Sequence, residues 1–259
     1  MSHFILFHIF EWPIYLYGVI FVLGYWLILY QTYYVVNFLK KNTNEYNDVS
    51  IDNFDSIGFY TFLGVVLGGR IGYVLFFDFN MTFSSILQTY KGGMSFHGAL
   101  IMGIIFLYFS SRYYKVSFLK LCDVISISLP LSIGFGRIAN YMNGEFSEIV
   151  SILNMPLSIV SALNEGFILY LIMLFALYTS KYIHFSGRLT GLFFIMYSFS
   201  RFFNDFFRKN EISILNHIQK FIPFVSDIPF NLTFGQFFSV VMLIIGILLM
   251  LRKHDNSFV

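Results

Sequence analysis

Cysteine is nearly absent from this chain: Cys122 is the one thiol in 259 residues, which excludes an internal disulfide. Charge is scarce too, at 12% of residues against about 25% in soluble domains, so a soluble globular protein is excluded. A net charge of +2, scattered along the sequence, offers no surface for nucleic acid. The six histidines are dispersed, with no partner at metal-ligand spacing, so neither a metal nor a cofactor is expected. A P-loop, a dinucleotide fingerprint and a Gly-x-Ser-x-Gly elbow are all missing. No internal repeat is found, which speaks against the paired-repeat design of many secondary transporters.

What is abundant is apolar sequence. Hydrophobic residues make up 57% of the chain and the mean hydropathy is +0.71. Seven apolar spans are expected near 12–38, 57–79, 94–114, 119–142, 163–182, 189–207 and 230–251, each able to supply the ~20 residues a bilayer requires. The fold class is therefore an all-α membrane protein of seven transmembrane helices in one domain over residues 1–259. The first run is not read as a cleavable signal, because residues 1–11 carry no Lys or Arg and no small-residue cleavage site follows. With the amino terminus outside, nine Lys/Arg, among them Lys40, Lys41, Arg112, Lys115 and Lys120, fall on the inner side. Four (Lys91, Arg208, Lys209 and Lys220) then fall on the outer side. The excess of inner positive charge favours an external amino terminus and a cytoplasmic carboxyl terminus. Between the last two spans, Ile212–Ile222 has a weak amphipathic pattern suited to the interface.

Three arginines, Arg70, Arg137 and Arg201, stand inside these spans. Each costs about 2.5–3.5 kcal/mol at the bilayer centre unless it faces protein, water or an anion. Gly64, Gly68 and Gly72 form a small-residue stripe suited to helix packing, and Arg70 lies off that stripe, within reach of Asp78, Asp123 or a lipid headgroup. Gly92-Gly93-Met-Ser-Phe-His97-Gly98 opens the third span with a titratable base between glycines that permit close approach. Arg137, Asn140, Tyr141 and Gly144 fall at i, i+3, i+4 and i+7, one helical stripe whose arginine and amide suit an oxyanion. The bland alternative is an ion pair of Arg137 with Glu145 or Asp205. Tyr197, Arg201, Asp205 and Arg208 make a polar ladder along the sixth span, where Asp205 can hold either arginine. Arginines saturated by protein acids would remove the need for an anion. Cys122 is expected to pack rather than react.

Four stretches carry a family resemblance in the right order over nearly the whole chain: Gly68-Gly-Arg-Ile-Gly-Tyr-Val, Gly92-Gly-Met-Ser-Phe-His-Gly, Gly136-Arg-Ile-Ala-Asn-Tyr-Met-Asn-Gly-Glu145, and Tyr197-x3-Arg201-x3-Asp205-Phe-Phe-Arg208 followed by Gly235-Gln236. They resemble prolipoprotein diacylglyceryl transferase. The resemblance implies a multi-pass enzyme of the bacterial inner membrane that moves the diacylglyceryl group of phosphatidylglycerol to the lipobox cysteine of a prelipoprotein, forming a thioether and releasing glycerol phosphate. It implies His97 as base and Arg137 with Arg201 as the grip on the lipid phosphate. Tyr17, Asn140, Asn143, Glu145 and Tyr197 would shape the polar cavity, and Asp205 and Arg208 would support Arg201. The chain departs from the family pattern at Ala99, at Glu148, at Pro156-Leu-Ser-Ile-Val-Ser161 and at Asp205. Two other readings of the same arginines are a transporter of an anionic solute and a catalytically lapsed, lipid-binding relative.

Overall fold

The structure is a computed structural model that describes residues 5–9, 12–49, 53–77, 95–144, 149–150, 153–179, 183–208 and 233–252. The chain divides into two compact units, Tyr46–Leu121 and a second made of Met1–Glu45 with Cys122–Val259. Helix dominates both. Helices α1 (Leu16–Asn42), α2 (Phe54–Phe77), α3 (Phe96–Tyr113) and α4 (Phe118–Met142) are followed by α5 (Leu157–Tyr178), α6 (Arg188–Asp205) and α7 (Phe234–Leu251). Four of them, α1, α2, α4 and α5, are long and apolar enough to cross a membrane. The apolar stretches Gly98–Tyr113 and Gly235–Leu251 are shorter, and α6 carries Arg188, Arg201 and Asp205 within eighteen residues.

Tyr46–Leu121 is built around the glycine stripe. A Cβ at Gly64 would meet the Phe106 ring at 2.6 Å and the Met102 carbonyl at 2.9 Å, and one at Gly72 would meet the Gly98 Cα at 2.8 Å. Gly68 and Gly98 touch backbone to backbone. The stripe therefore packs α2 on α3, as its spacing implied. Ser95 starts α3 by accepting from the Gly98 amide at 3.3 Å, an ordinary side-chain cap. The close approach that Gly98 permits is taken up by the backbone of α2.

In the other unit the first span begins later than expected. Trp12–Tyr15 pairs as β2 with β1 (Ile5–Ile9), and α1 starts at Leu16. Pro13 lacks an amide donor and biases Trp12 to extended backbone, which favours a strand at this point. The fifth helix, conversely, starts early. Leu157–Ser161, expected to precede it, forms its first turns after Pro156, and Ala162–Ile168 continues it as a π-helical segment. Pro at a helix start fits because its missing N–H is one that needs no intrahelical partner. A short antiparallel pair, β3 (Ile149–Val150) with β4 (Met155–Pro156), lies between α4 and α5.

Glycine also sets the contact between α4 and α5. Gly166 approaches the Gly134 backbone so closely that a Cβ on Gly166 would overlap the Gly134 Cα. Asp123 of α4, wholly buried, starts α6: its carboxylate accepts from the Gly187 amide at 2.6 Å and from the Thr190 amide and hydroxyl at 2.7 Å each. Acid at a helix N-terminus meets both the orphan amides and the positive end of the dipole. Thr233 caps α7 with Gln236 in a reciprocal capping box. Gly191 and Gly246 then bring α6 and α7 together.

Candidate functional site

The Gly134–Gly166 contact decides which side chains meet. Arg137 lies three residues after Gly134, on the same side of α4, and Glu165 immediately precedes Gly166 on α5. The Arg137 Nε and Nη2 both donate to Glu165 Oε2, at 3.0 and 2.8 Å. Glu165 is fully buried, while the Arg137 side chain keeps 14% of its surface. A carboxylate that binds Arg137 is thus Glu165, which the sequence reading did not name, and Glu145 lies outside the described residues.

The ladder on α6 is present as its spacing indicated. Arg201 Nη2 lies 3.1 Å from Asp205 Oδ1, and Arg208 Nε lies 3.6 Å from the same oxygen. Thr233, the cap of α7, donates to Asp205 Oδ2 at 3.2 Å. Gly235 touches both Asp205 and Arg201, so a side chain there would displace the pair. Tyr197 is 1% exposed, stacks on Phe193 at 5.6 Å, and its hydroxyl has no hydrogen-bond partner among the described residues.

These groups form one electrostatic cluster. Glu165 lies within reach of the charges on Arg137, Arg201 and Arg208, and the Tyr197 hydroxyl faces the same set. Among the described residues the cluster holds three guanidinium groups against two carboxylates, Glu165 and Asp205. Each arginine has an acid beside it, so the ion-pair alternative holds in part. Guanidinium groups gathered in this way, held by acids and buried, suit an oxyanion.

The remaining expected residues divide by what is described. Asn140 and Asn143 are buried, whereas Tyr141 is 48% exposed. Gly144 lies beyond the end of α4 with φ +71°, a conformation glycine takes without strain. His97 sits in the first turn of α3 and Tyr17 in that of α1, but both side chains lie outside the described residues. Arg70 is buried over the Tyr73 ring at 5.4 Å. Of its expected acids, Asp123 serves the start of α6 and Asp78 lies outside the described residues. The stretch 212–222 lies outside them as well. Cavities of about 400 Å³ beside Lys41 and His184 and about 330 Å³ beside Phe109 and Tyr113 are not lined by the arginine cluster. No group of three His, Cys, Asp or Glu able to hold a metal occurs among the described residues.

Two functional candidates escaped the sequence reading. Glu165 had a usable signal: an acid inside an apolar span is a site until shown otherwise. Asn204 had none, because an amide between Phe203 and Asp205 looks like any polar residue near a helix end.

The model of the family "Prolipoprotein diacylglyceryl transferase" matches residues 4–252. The chain is 32% identical over 257 residues to the phosphatidylglycerol–prolipoprotein diacylglyceryl transferase of Rickettsia bellii (strain OSU 85-389), covering 93% of this chain and 91% of the relative. It is 32% identical over 256 residues to the protein of the same name from Rickettsia akari (strain Hartford), covering 93% and 92%. The Rickettsia rickettsii (strain Sheila Smith) protein is 31% identical over the same shares.

Proposed function

The chain belongs to the prolipoprotein diacylglyceryl transferase family, and from that premise we propose how its arginine cluster carries out the transfer. It is a membrane enzyme that moves the diacylglyceryl group of phosphatidylglycerol to a prolipoprotein. The acceptor is the lipobox cysteine thiol. Its sulfur attacks the glycerol carbon that bears the phosphate, a C–S bond forms as the C–O bond breaks, and glycerol phosphate departs. The thiol proton passes to a base, His97.

The leaving phosphate gains one negative charge as the C–O bond breaks. Positive charge placed beside it therefore stabilises the transition state more than the ground state, which is the condition for catalysis. The observation that carries the reading is the convergence of three guanidinium groups in one buried cluster, Arg137 held by Glu165 and Arg201 with Arg208 held by Asp205. Arg137 and Arg201 meet the phosphate, Tyr197 donates its buried hydroxyl, and Asp205 and Arg208 hold Arg201. Tyr17, Asn140, Asn143 and Glu145 complete the polar lining. A thiol with a pKa near 8.5 is only a few per cent thiolate at neutral pH, so a base and nearby cations both raise its reactivity.

The same reading places the chain as one domain crossing the bacterial inner membrane seven times, amino terminus outside, with the site open to phosphatidylglycerol and to the signal peptide. Purified protein given phosphatidylglycerol and a peptide carrying a lipobox cysteine releases glycerol phosphate in step with thioether formation. Folded protein that releases none contradicts the reading.

A further inference from the structure

Asn204 is 3% exposed and sits one residue before the acid that holds Arg201. Its Nδ2 lies 2.7 Å from Glu165 Oε1, 3.0 Å from Asn164 Oδ1 and 3.1 Å from Ser161 Oγ. Asn164 Nδ2 returns a bond to Asn204 Oδ1 at 3.0 Å, so the two amides pair reciprocally. Ser161, Asn164 and Glu165 stand at i, i+3 and i+4 on α5, one face turned toward α6. Glu165 is thereby gripped at both oxygens, Oε2 by Arg137 and Oε1 by Asn204.

From this we infer that Asn204 is a positioning residue for the transfer reaction, fixing the Glu165 carboxylate and, through it, the aim of the Arg137 guanidinium. The orientation of the amide is forced. Turned over, its oxygen would face the Glu165 carboxylate, whichever way Asn164 turned with it. The bond to Glu165 is charge-assisted and the shortest that Asn204 makes. Without it, the carboxylate can pivot about its single contact oxygen with Arg137 and carry the guanidinium with it. Asn204 and Asp205, adjacent on α6, thus set the two phosphate-gripping arginines from one turn of helix: Asp205 directly, Asn204 by way of Glu165. A buried amide pair can also serve merely as glue between helices. That role predicts lost stability with unchanged kinetics in the protein that remains folded.

The inference rests on Arg137 meeting the phosphate, and its test separates the two. Full-length protein is purified as wild type, Asn204→Leu, Glu165→Gln and the double variant. Each is assayed for kcat and for the KM of a lipobox peptide with phosphatidylglycerol, beside its thermal midpoint. Asn204→Leu is expected to lower kcat at least about tenfold with little change in the peptide KM, a misplacement effect. The double variant is expected to match Glu165→Gln alone, because both changes act through one carboxylate. Losses that multiply, or wild-type kinetics in Asn204→Leu, overturn the inference while leaving the transferase reading in place. A silent wild type overturns both. Should Asn204→Leu fail to fold, Asn164→Leu breaks the amide pair from the less buried side. A drop in kcat of about threefold supports the inference, and unchanged kinetics overturns it.

Discussion

Arg137 and Glu165 lie 28 positions apart, and both donors on one edge of the guanidinium converge on a single carboxylate oxygen at 3.0 and 2.8 Å. Beside it, Arg201 and Arg208 share a second acid, Asp205, at 3.1 and 3.6 Å. Each of the three arginines is thus held by an acid. An anion site built this way keeps its cations aimed while empty and gains most when phosphate arrives, since nothing has to reorganise.

Arg137→Ala and Arg201→Ala each abolish transfer. The effect is expected to exceed about 10²-fold in kcat, the scale of removing one donor from a charge-stabilising site. Glycerol phosphate release measures it. Arg137→Lys does not restore activity, because a point-like ammonium cannot hold Glu165 with two N–H groups and face phosphate in the same plane. Near-normal rates in either alanine variant contradict the assignment.

Tyr197→Phe separates substrate contact from packing. The ring remains stacked on Phe193, and the deleted hydroxyl has no hydrogen-bond partner among the described residues to leave behind. Stability is expected to stay within about 1 kcal/mol of wild type. Turnover falls about tenfold or more if the hydroxyl bonds the phosphate in the transition state. Thermal unfolding and transfer kinetics on the same preparation check both halves.

Gly166→Leu pushes α5 from α4 and with it Glu165 from Arg137, since even a Cβ at Gly166 overlaps the Gly134 backbone. A loss of roughly 1–3 kcal/mol or more is expected from overpacking, together with loss of activity. Gly235→Ala, whose Cβ would run into the Asp205 carboxylate, is expected to lower activity with a smaller effect on folding. Thermal midpoints compared with transfer rates distinguish the two outcomes.

Cys122→Ser leaves transfer intact. Cys122 is only partly buried near the start of α4, its thiol forms no disulfide, and the reacting sulfur comes from the substrate. Transfer lost by a folded serine variant contradicts the mechanism.

The sequence by itself determined that this is a helical membrane protein, because a shortage of charge over long apolar runs admits little else. It also marked Arg137 and Arg201 as candidate site residues, since an intramembrane guanidinium is costly unless it faces protein, water or an anion. The glycine stripe on α2 and the Tyr197–Arg201–Asp205 ladder were legible for the same reason: each is a property of one helix, fixed by 3.6 residues per turn. Tertiary structure alone decided that Glu165 is the partner of Arg137, that Asn204 grips the far side of that carboxylate, and that Asp123 starts α6. Those pairs join different helices. The close Gly134–Gly166 contact selects Glu165 among the acids of the chain, and no periodicity within a single segment encodes it.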